Sequence, residues 1–370
     1  MKRSRIFALL ISSAMALYLT GCGNAPSVEV SEGAELSLPE SSYTAASPAE
    51  ESPTPGVDNG NMPLTLEAIP EEYLEPSAQP GQVVRIDYES STYDESARDM
   101  DKYAYVYLPY GYNEADDETR YNIFYLMHGW TGNAELYLGG ENGDRPLKRI
   151  LDHLIANGDM EPMSVVTPTY YHDNAQQGSS IANEDAVLTA NFYQELLNDL
   201  MPAVESAYHT FADSADPSGL QSAREHRIFG GFSMGGVTTW YTFLHGLDYF
   251  KYYMPISGDC WVVSQTAMGS AETAEETARY LHDHVQNSGY TRDDFEIYAL
   301  TGTDDTAYAS LSGQIEAMKA YPDSFLYSDT AGSGNLHFQA AEGGVHNYNS
   351  MIQYIYNALP VFSKQTAASN

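Results

Sequence analysis

Hydrophobic and polar residues alternate with a period of two along Gln82 to Tyr88 and again along Tyr103 to Tyr110, the pattern of half-buried strands. The Ser- and Asp-rich stretch between them predicts an antiparallel pair. Asn122 to Met127 is a continuous apolar run, as expected of a strand covered on both faces. Helical and strand patterns then take turns. Pro146 to Ala156 is an amphipathic helix with proline in its first turn, Met163 to Thr167 a strand, and Asp185 to Tyr208 a helical stretch in which Pro202 marks a kink. A short strand, Arg227 to Phe229, leads through glycines into a helix at Val237 to Leu244. Strands follow at Tyr252 to Ile256, Phe295 to Leu300 and Leu336 to Ala340, interleaved with helices at Ala274 to Gln286, Ser312 to Ala320 and Tyr348 to Leu359. Repeated β-α units predict an α/β fold with a mostly parallel central sheet and helices on both faces.

Upstream of Gln82 the pattern differs. Met1 to Leu19 has a basic start (Lys2, Arg3, Arg5) and an apolar middle, too short and wrongly flanked for a spanning helix, so residues 1–21 are expected to be a signal peptide. It ends in Leu19-Thr20-Gly21-Cys22, which resembles a bacterial lipobox. An extracellular protein held at the cell surface by a lipid on Cys22 is therefore expected, with the lipid its only membrane contact. Residues 23–80 hold nine of the 18 prolines, eleven acidic residues and no lysine or arginine. Such a segment buries too little apolar surface to offset its ordering entropy, so residues 22–80 read as a tether. Its weak apolar patch, Leu64 to Leu74, is the one place where it can dock on the domain edge. The folded domain is then expected over 81–363, with a short disordered tail at 364–370. A formal net charge of −34 excludes nucleic acid and anionic membrane surfaces as partners, because both repel it. With Cys22 acylated, Cys260 is unpaired and reads as a small buried hydrophobe. No cofactor and no metal are expected: His282-x-His284 reads as a solvated helix face. A monomer is expected.

The candidate chemistry lies in Gly231-Phe232-Ser233-Met234-Gly235. This G-x-S-x-G sits between an apolar run and a helix, the strand-turn-helix context of a nucleophile elbow. A glycine-rich turn that merely packs is the plainer alternative. In an α/β-hydrolase the acid and the histidine follow the serine along the chain. Five of the ten histidines do so: His245, His282, His284, His337 and His346. Only His346 falls in a loop between the last strand and the last helix, where it can reach the elbow; His337 lies inside a strand. The acid should also follow a strand, which leaves Asp304 and Asp305 after Leu300 as candidates, with Asp259 as runner-up. The oxyanion of acyl transfer needs fixed donors, here the backbone amides of Met234 and, from the loop at His128 to Thr131, Trp130. His128 itself precedes the serine and reads as a structural loop residue.

From about Val83 to Phe362 the chain resembles the feruloyl esterases of carbohydrate esterase family one, especially those attached to bacterial xylanases. The resemblance is carried by Leu126-Met127-His128-Gly129, Val165-Val166-Thr167-Pro168-Thr169, Asn191-Phe192-Tyr193-Gln194-Glu195, the elbow with Thr238-Thr239-Trp240-Tyr241, Ser257-Gly258-Asp259 with Trp261, and Gln314 to Ala320. It implies an α/β-hydrolase fold, Ser233 as nucleophile, His346 as base and, of the two open aspartates, Asp305 as acid. It also implies a substrate, hydroxycinnamate such as ferulate esterified to arabinoxylan, and a cleft lined by Trp261 with Trp130 and Asp259. A core position is the plainer role for Trp261. Two other functions compete: an acetylxylan esterase with the same triad, and a non-catalytic glycan-binding lipoprotein, which has no need of all three catalytic residues.

Overall fold

The computed structural model describes residues 63–116, 118–174, 182–264 and 271–367. Its strands are β1 (Gln82–Ser91), β2 (Asp99–Leu108), β3 (Asn122–Met127), β4 (Met163–Thr167), β5 (Arg227–Phe232), β6 (Tyr252–Ile256), β7 (Glu296–Gly302) and β8 (Leu336–Ala341). Its α-helices are α1 (Pro146–Ala156), α2 (Ala182–Glu195), α3 (Met201–Ala207), α4 (Pro217–Ser222), α5 (Met234–His245), α6 (Ala274–Ser288), α7 (Tyr308–Met318) and α8 (Tyr348–Ala367). The expected signal peptide, Cys22 and the expected tether up to residue 62 lie outside the described residues, as do residues 368–370.

All eight strands form one sheet in the order β1-β2-β4-β3-β5-β6-β7-β8. β2 runs antiparallel to both β1 and β4, and the remaining neighbours are parallel. This is the α/β-hydrolase sheet that the resemblance implies. Alternation within β3 explains how the sheet is covered. Ile123, Tyr125 and Met127 enter a core shared with α3, α5, α6 and α7, whereas Phe124 and Leu126 enter one shared with α1 and α8. Both faces are therefore apolar, and β3 has no exposed residue.

Three expectations need correction. Residues 63–80 are not free tether. Leu64, Leu66 and Ile69 pack against the α1–α8 core, and Tyr73 is buried with its hydroxyl 2.6 Å from Asp159 Oδ2. The docking expected of the patch from Leu64 to Leu74 is thus present, because a few apolar side chains and backbone bonds such as Leu64 N–H to Asp329 O (2.8 Å) suffice to hold an extended segment. At the other end α8 continues to Ala367, beyond the expected boundary at 363, because Phe362, Ser363 and Thr366 are all buried. The long helix expected over 185–208 is interrupted not at Pro202 but just before it, by a π turn at Leu196–Leu200. Pro202 has no N–H for the carbonyl one turn back and its ring crowds that carbonyl, so the preceding turn widens.

The elbow strand is fixed at its start by a buried ion pair. Arg227, the first residue of β5, meets Glu205 of α3 through Nε to Oε1 (2.7 Å) and Nη2 to Oε2 (2.8 Å), with both side chains fully buried. The hydroxyls of Tyr125 and Thr210 also donate to Glu205. Glu205→Ala should therefore cost about 3–5 kcal/mol, because it strands a buried guanidinium. Urea unfolding measures this directly, and a midpoint equal to that of the wild type would remove the pair's structural role.

Candidate active site

β5 delivers its last residues to a turn that only small neighbours permit. A Cβ on Gly235 would lie 2.2 Å from Met127 O, and one on Gly231 would lie 2.6 Å from the Gly235 backbone. Between them Ser233 adopts φ 58°, ψ −119°, a region that L-residues rarely enter. Its amide donates to Ile256 O of β6 (2.8 Å), and its carbonyl accepts from Val237 of α5 (3.1 Å). The side chain is thereby raised at the carboxyl edge of the sheet.

His346, in the loop between β8 and α8, brings Nε2 to 2.8 Å from Ser233 Oγ. Its Nδ1 lies 2.7 Å from Oδ1 of Asp305, in the loop after β7. The two loops are tied together by Thr303 N–H to Ala341 O (2.9 Å) and Asp304 N–H to Gly344 O (3.0 Å). Asp305 has no exposed side-chain surface, and its Oδ1 also accepts from Ala307 N–H at 2.7 Å. α7 starts earlier than the sequence pattern indicated, at Tyr308 rather than Ser312. Oδ2 is buried without a partner among the described residues. Asp304 is exposed. His337 is buried in β8 between Ser328 O (2.8 Å) and Glu296 (3.0 Å), with no path to the serine.

Two backbone segments flank this chain. Met234 N–H opens α5, where no carbonyl of its own helix can accept it. Gly129 lies so close to the elbow that a Cβ there would approach Ser233 Cβ to 3.0 Å. A pocket of about 270 Å³ opens over Ser233 and His346, with Trp130, Leu136, Tyr137, Phe232 and Tyr348 on its walls. The Tyr137 and Tyr348 rings are near parallel, 6.2 Å apart, and the Phe232 ring is tilted against His346 at 4.6 Å. Burial pushes the Tyr348 phenol up to about 12 and that of Tyr137 higher still, so both remain neutral near pH 7.

Two expected cleft residues lie elsewhere. Trp261 is only 7% exposed and packs in the core shared with α5, and its indole N–H donates to Asp259 Oδ1 at 3.3 Å. Neither lines the pocket at Ser233. Burial raises the Asp259 carboxyl, the reverse of what an ionised partner for histidine needs. Leu136, Tyr137 and Tyr348 carried no motif in the sequence. They reach the pocket from segments flanking the two catalytic loops, a proximity that only the folded chain reveals.

A serine, a histidine and a carboxylate joined in that order by hydrogen bonds, with the unaccepted Met234 amide next to the serine, form an arrangement suited to acyl transfer. The family model described as "Putative esterase" matches residues 97–359. Endo-1,4-β-xylanase Y of Acetivibrio thermocellus is 40% identical over 299 residues, which make up 79% of this chain and 24% of that protein. An endo-1,4-β-xylanase/feruloyl esterase of Xylanibacter ruminicola is 32% identical over 162 residues, 43% of this chain and 20% of that protein. The chain thus spans about a quarter or less of these relatives' length. Among solved structures, a serine-to-alanine mutant of the feruloyl esterase module from Clostridium thermocellum, complexed with sinapinate, superposes with a TM-score of 0.67. The two are 38% identical, and the match covers 83% of this chain and 96% of that one.

Proposed function

The chain belongs to this esterase family, as a serine carboxylic ester hydrolase of α/β-hydrolase fold, and from that premise we propose that it removes feruloyl and related hydroxycinnamoyl groups from arabinoxylan through an acyl-enzyme on Ser233. The observation that carries the proposal is the chain Asp305–His346–Ser233 opening on a pocket with an aromatic wall. Ser233 Oγ attacks the ester carbonyl while His346 Nε2 takes its proton. Negative charge on the carbonyl oxygen is met by the amides of Met234 and Trp130, each worth about 3 kcal/mol in the transition state. Collapse breaks the bond to the sugar oxygen, which leaves as a hydroxyl with the proton from His346. Water, deprotonated by the same nitrogen, then releases the free acid and restores Ser233.

The aromatic acyl group is assigned to the pocket wall because a planar ring needs flat, neutral surfaces to hold it while the ester sits at the amides. Xylan is supported by the relatives' names, both of which are xylanases. The plain test compares methyl ferulate with acetylated xylan; a preference for the acetyl ester would favour an acetylxylan esterase. Tyr348→Ala is expected to lower kcat/KM for methyl ferulate several-fold more than for a short acetyl ester, since one aromatic contact is worth about 1 kcal/mol. An unchanged ratio there, with a shifted ratio in Trp261→Ala, would move the acyl ring to the β6 side, beside Asp259. Surface anchoring through a lipid on Cys22 remains part of the proposal and rests on the lipobox alone.

A further inference from the structure

His128 precedes the nucleophile and takes no part in the proton transfers, yet it is wholly buried and both of its ring nitrogens are engaged. Nδ1 lies 2.7 Å from Gly129 O and Nε2 lies 2.7 Å from Thr169 Oγ1. Burial pushes the imidazole down to about 4, so the ring is neutral and carries one proton. A carbonyl can only accept, so the hydrogen-bond network assigns that proton to Nδ1, and Nε2 accepts from the Thr169 hydroxyl. Gly129 O also accepts from Gly132 N–H at 3.1 Å, closing a turn in which Thr131 holds φ 63°, a strained value for a β-branched residue.

The partners of His128 are themselves held. Thr169 O and Tyr171 O both accept from the ammonium of Lys102, which is fully buried and lies 3.2 Å from Glu195 Oε1. Burial pushes Lys102 down and Glu195 up, each opposed by its partner's charge. The hydroxyl of Tyr171 accepts the Thr131 amide at 3.3 Å, and the Trp130 indole donates to Asp185 at 2.7 Å. The loop is thus tied on the far side of the peptide that matters. Gly129 C=O and Trp130 N–H belong to one planar trans peptide, in which the two bonds point in opposite directions. Fixing the carbonyl on the His128 side turns the amide to the opposite side of a peptide whose Gly129 abuts Ser233.

We propose that His128, braced by Thr169 and the Lys102–Glu195 pair, is a positioning residue that sets the Gly129–Trp130 peptide so that the Trp130 amide meets the oxyanion. This rests on the acyl-transfer reading of Ser233. His128→Leu removes the donor to Gly129. His128→Asn keeps one, because its amide nitrogen stands where Nδ1 stood. Thr169→Val removes the hydroxyl with almost no change in shape. Each is assayed for kcat and KM on methyl ferulate and for inhibition by an aryl trifluoromethyl ketone, which forms a tetrahedral oxyanion on the serine.

His128→Leu should lower kcat by about 10²–10³-fold with little change in KM, and should weaken the ketone by the factor lost from kcat/KM. His128→Asn should recover at least about tenfold of that, a fraction of one donor's worth. Thr169→Val should shift kcat and the ketone together, by less. A folded His128→Leu with wild-type kcat, or an Asn variant no better than Leu, overturns the proposal. So does a kcat loss that leaves the ketone untouched. If His128→Leu fails to fold, Thr169→Val decides alone, and wild-type values there overturn it. Ser233→Ala, assayed alongside, separates the two readings: turnover within tenfold of the wild type in that variant defeats the serine mechanism itself, whatever the His128 variants do.

Discussion

Ser233→Ala should lose about 10⁶-fold in kcat on methyl ferulate, the size of effect seen when a serine nucleophile is removed from a triad that acts as a unit. The loss should be chemical rather than structural. Alanine keeps the Cβ that the elbow already accommodates, and the turn is held by the backbone bonds of Ser233 to Ile256 and Val237, which the substitution leaves alone. Thermal unfolding should therefore be close to wild type. The amides of Met234 and Trp130 are untouched, so slow hydrolysis above the rate in water should persist. A fluorophosphonate probe, followed by peptide mass mapping, should label Ser233 in the wild type and nothing in the variant. Labelling of a different serine, or turnover within tenfold of the wild type, would remove Ser233 as the nucleophile.

Most of this site was legible because the fold couples it to strand ends. Each of Ser233, Asp305 and His346 follows a strand whose apolar pattern is hard to mistake, and in a parallel sheet those ends share one edge. What stayed hidden depends on side chains meeting across long separations. Lys102 and Glu195 are charged residues, and a sequence pattern assigns such residues to the surface. Their burial becomes reasonable only when each is seen to satisfy the other, together with Tyr88 and two carbonyls. The π turn at Leu196–Leu200 preserves helical spacing on either side, so periodicity passes through it unmarked. The surroundings of Trp261 were hidden in the same way. An aromatic residue near the elbow invites a binding role, but its indole has an internal partner in Asp259 and its ring is almost wholly covered.

The second large effect is expected at Asp305. Its Oδ1 accepts both from His346 Nδ1, at 2.7 Å, and from Ala307 N–H, also at 2.7 Å, while Oδ2 is buried with no partner among the described residues. In Asp305→Asn one amide orientation keeps the oxygen on both donors, but it places an NH₂ where no acceptor is available and removes the charge that stabilises the imidazolium. The other presents the NH₂ to His346 and to the Ala307 amide, which opposes two donors and forces the imidazole proton onto Nε2, facing Ser233. Either way the base is impaired, and kcat should fall by about 10³–10⁴-fold with KM little changed. Fluorophosphonate labelling should slow to a comparable degree, because acylation needs the same proton transfer. Asp304→Asn, on an exposed side chain, and Asp259→Asn, whose carboxylate bonds Trp261 rather than a histidine, serve as comparisons and should each leave kcat within about tenfold of the wild type, far short of a triad defect. If Asp259→Asn is the variant that fails while Asp305→Asn keeps its activity, the orienting acid follows β6 and not β7.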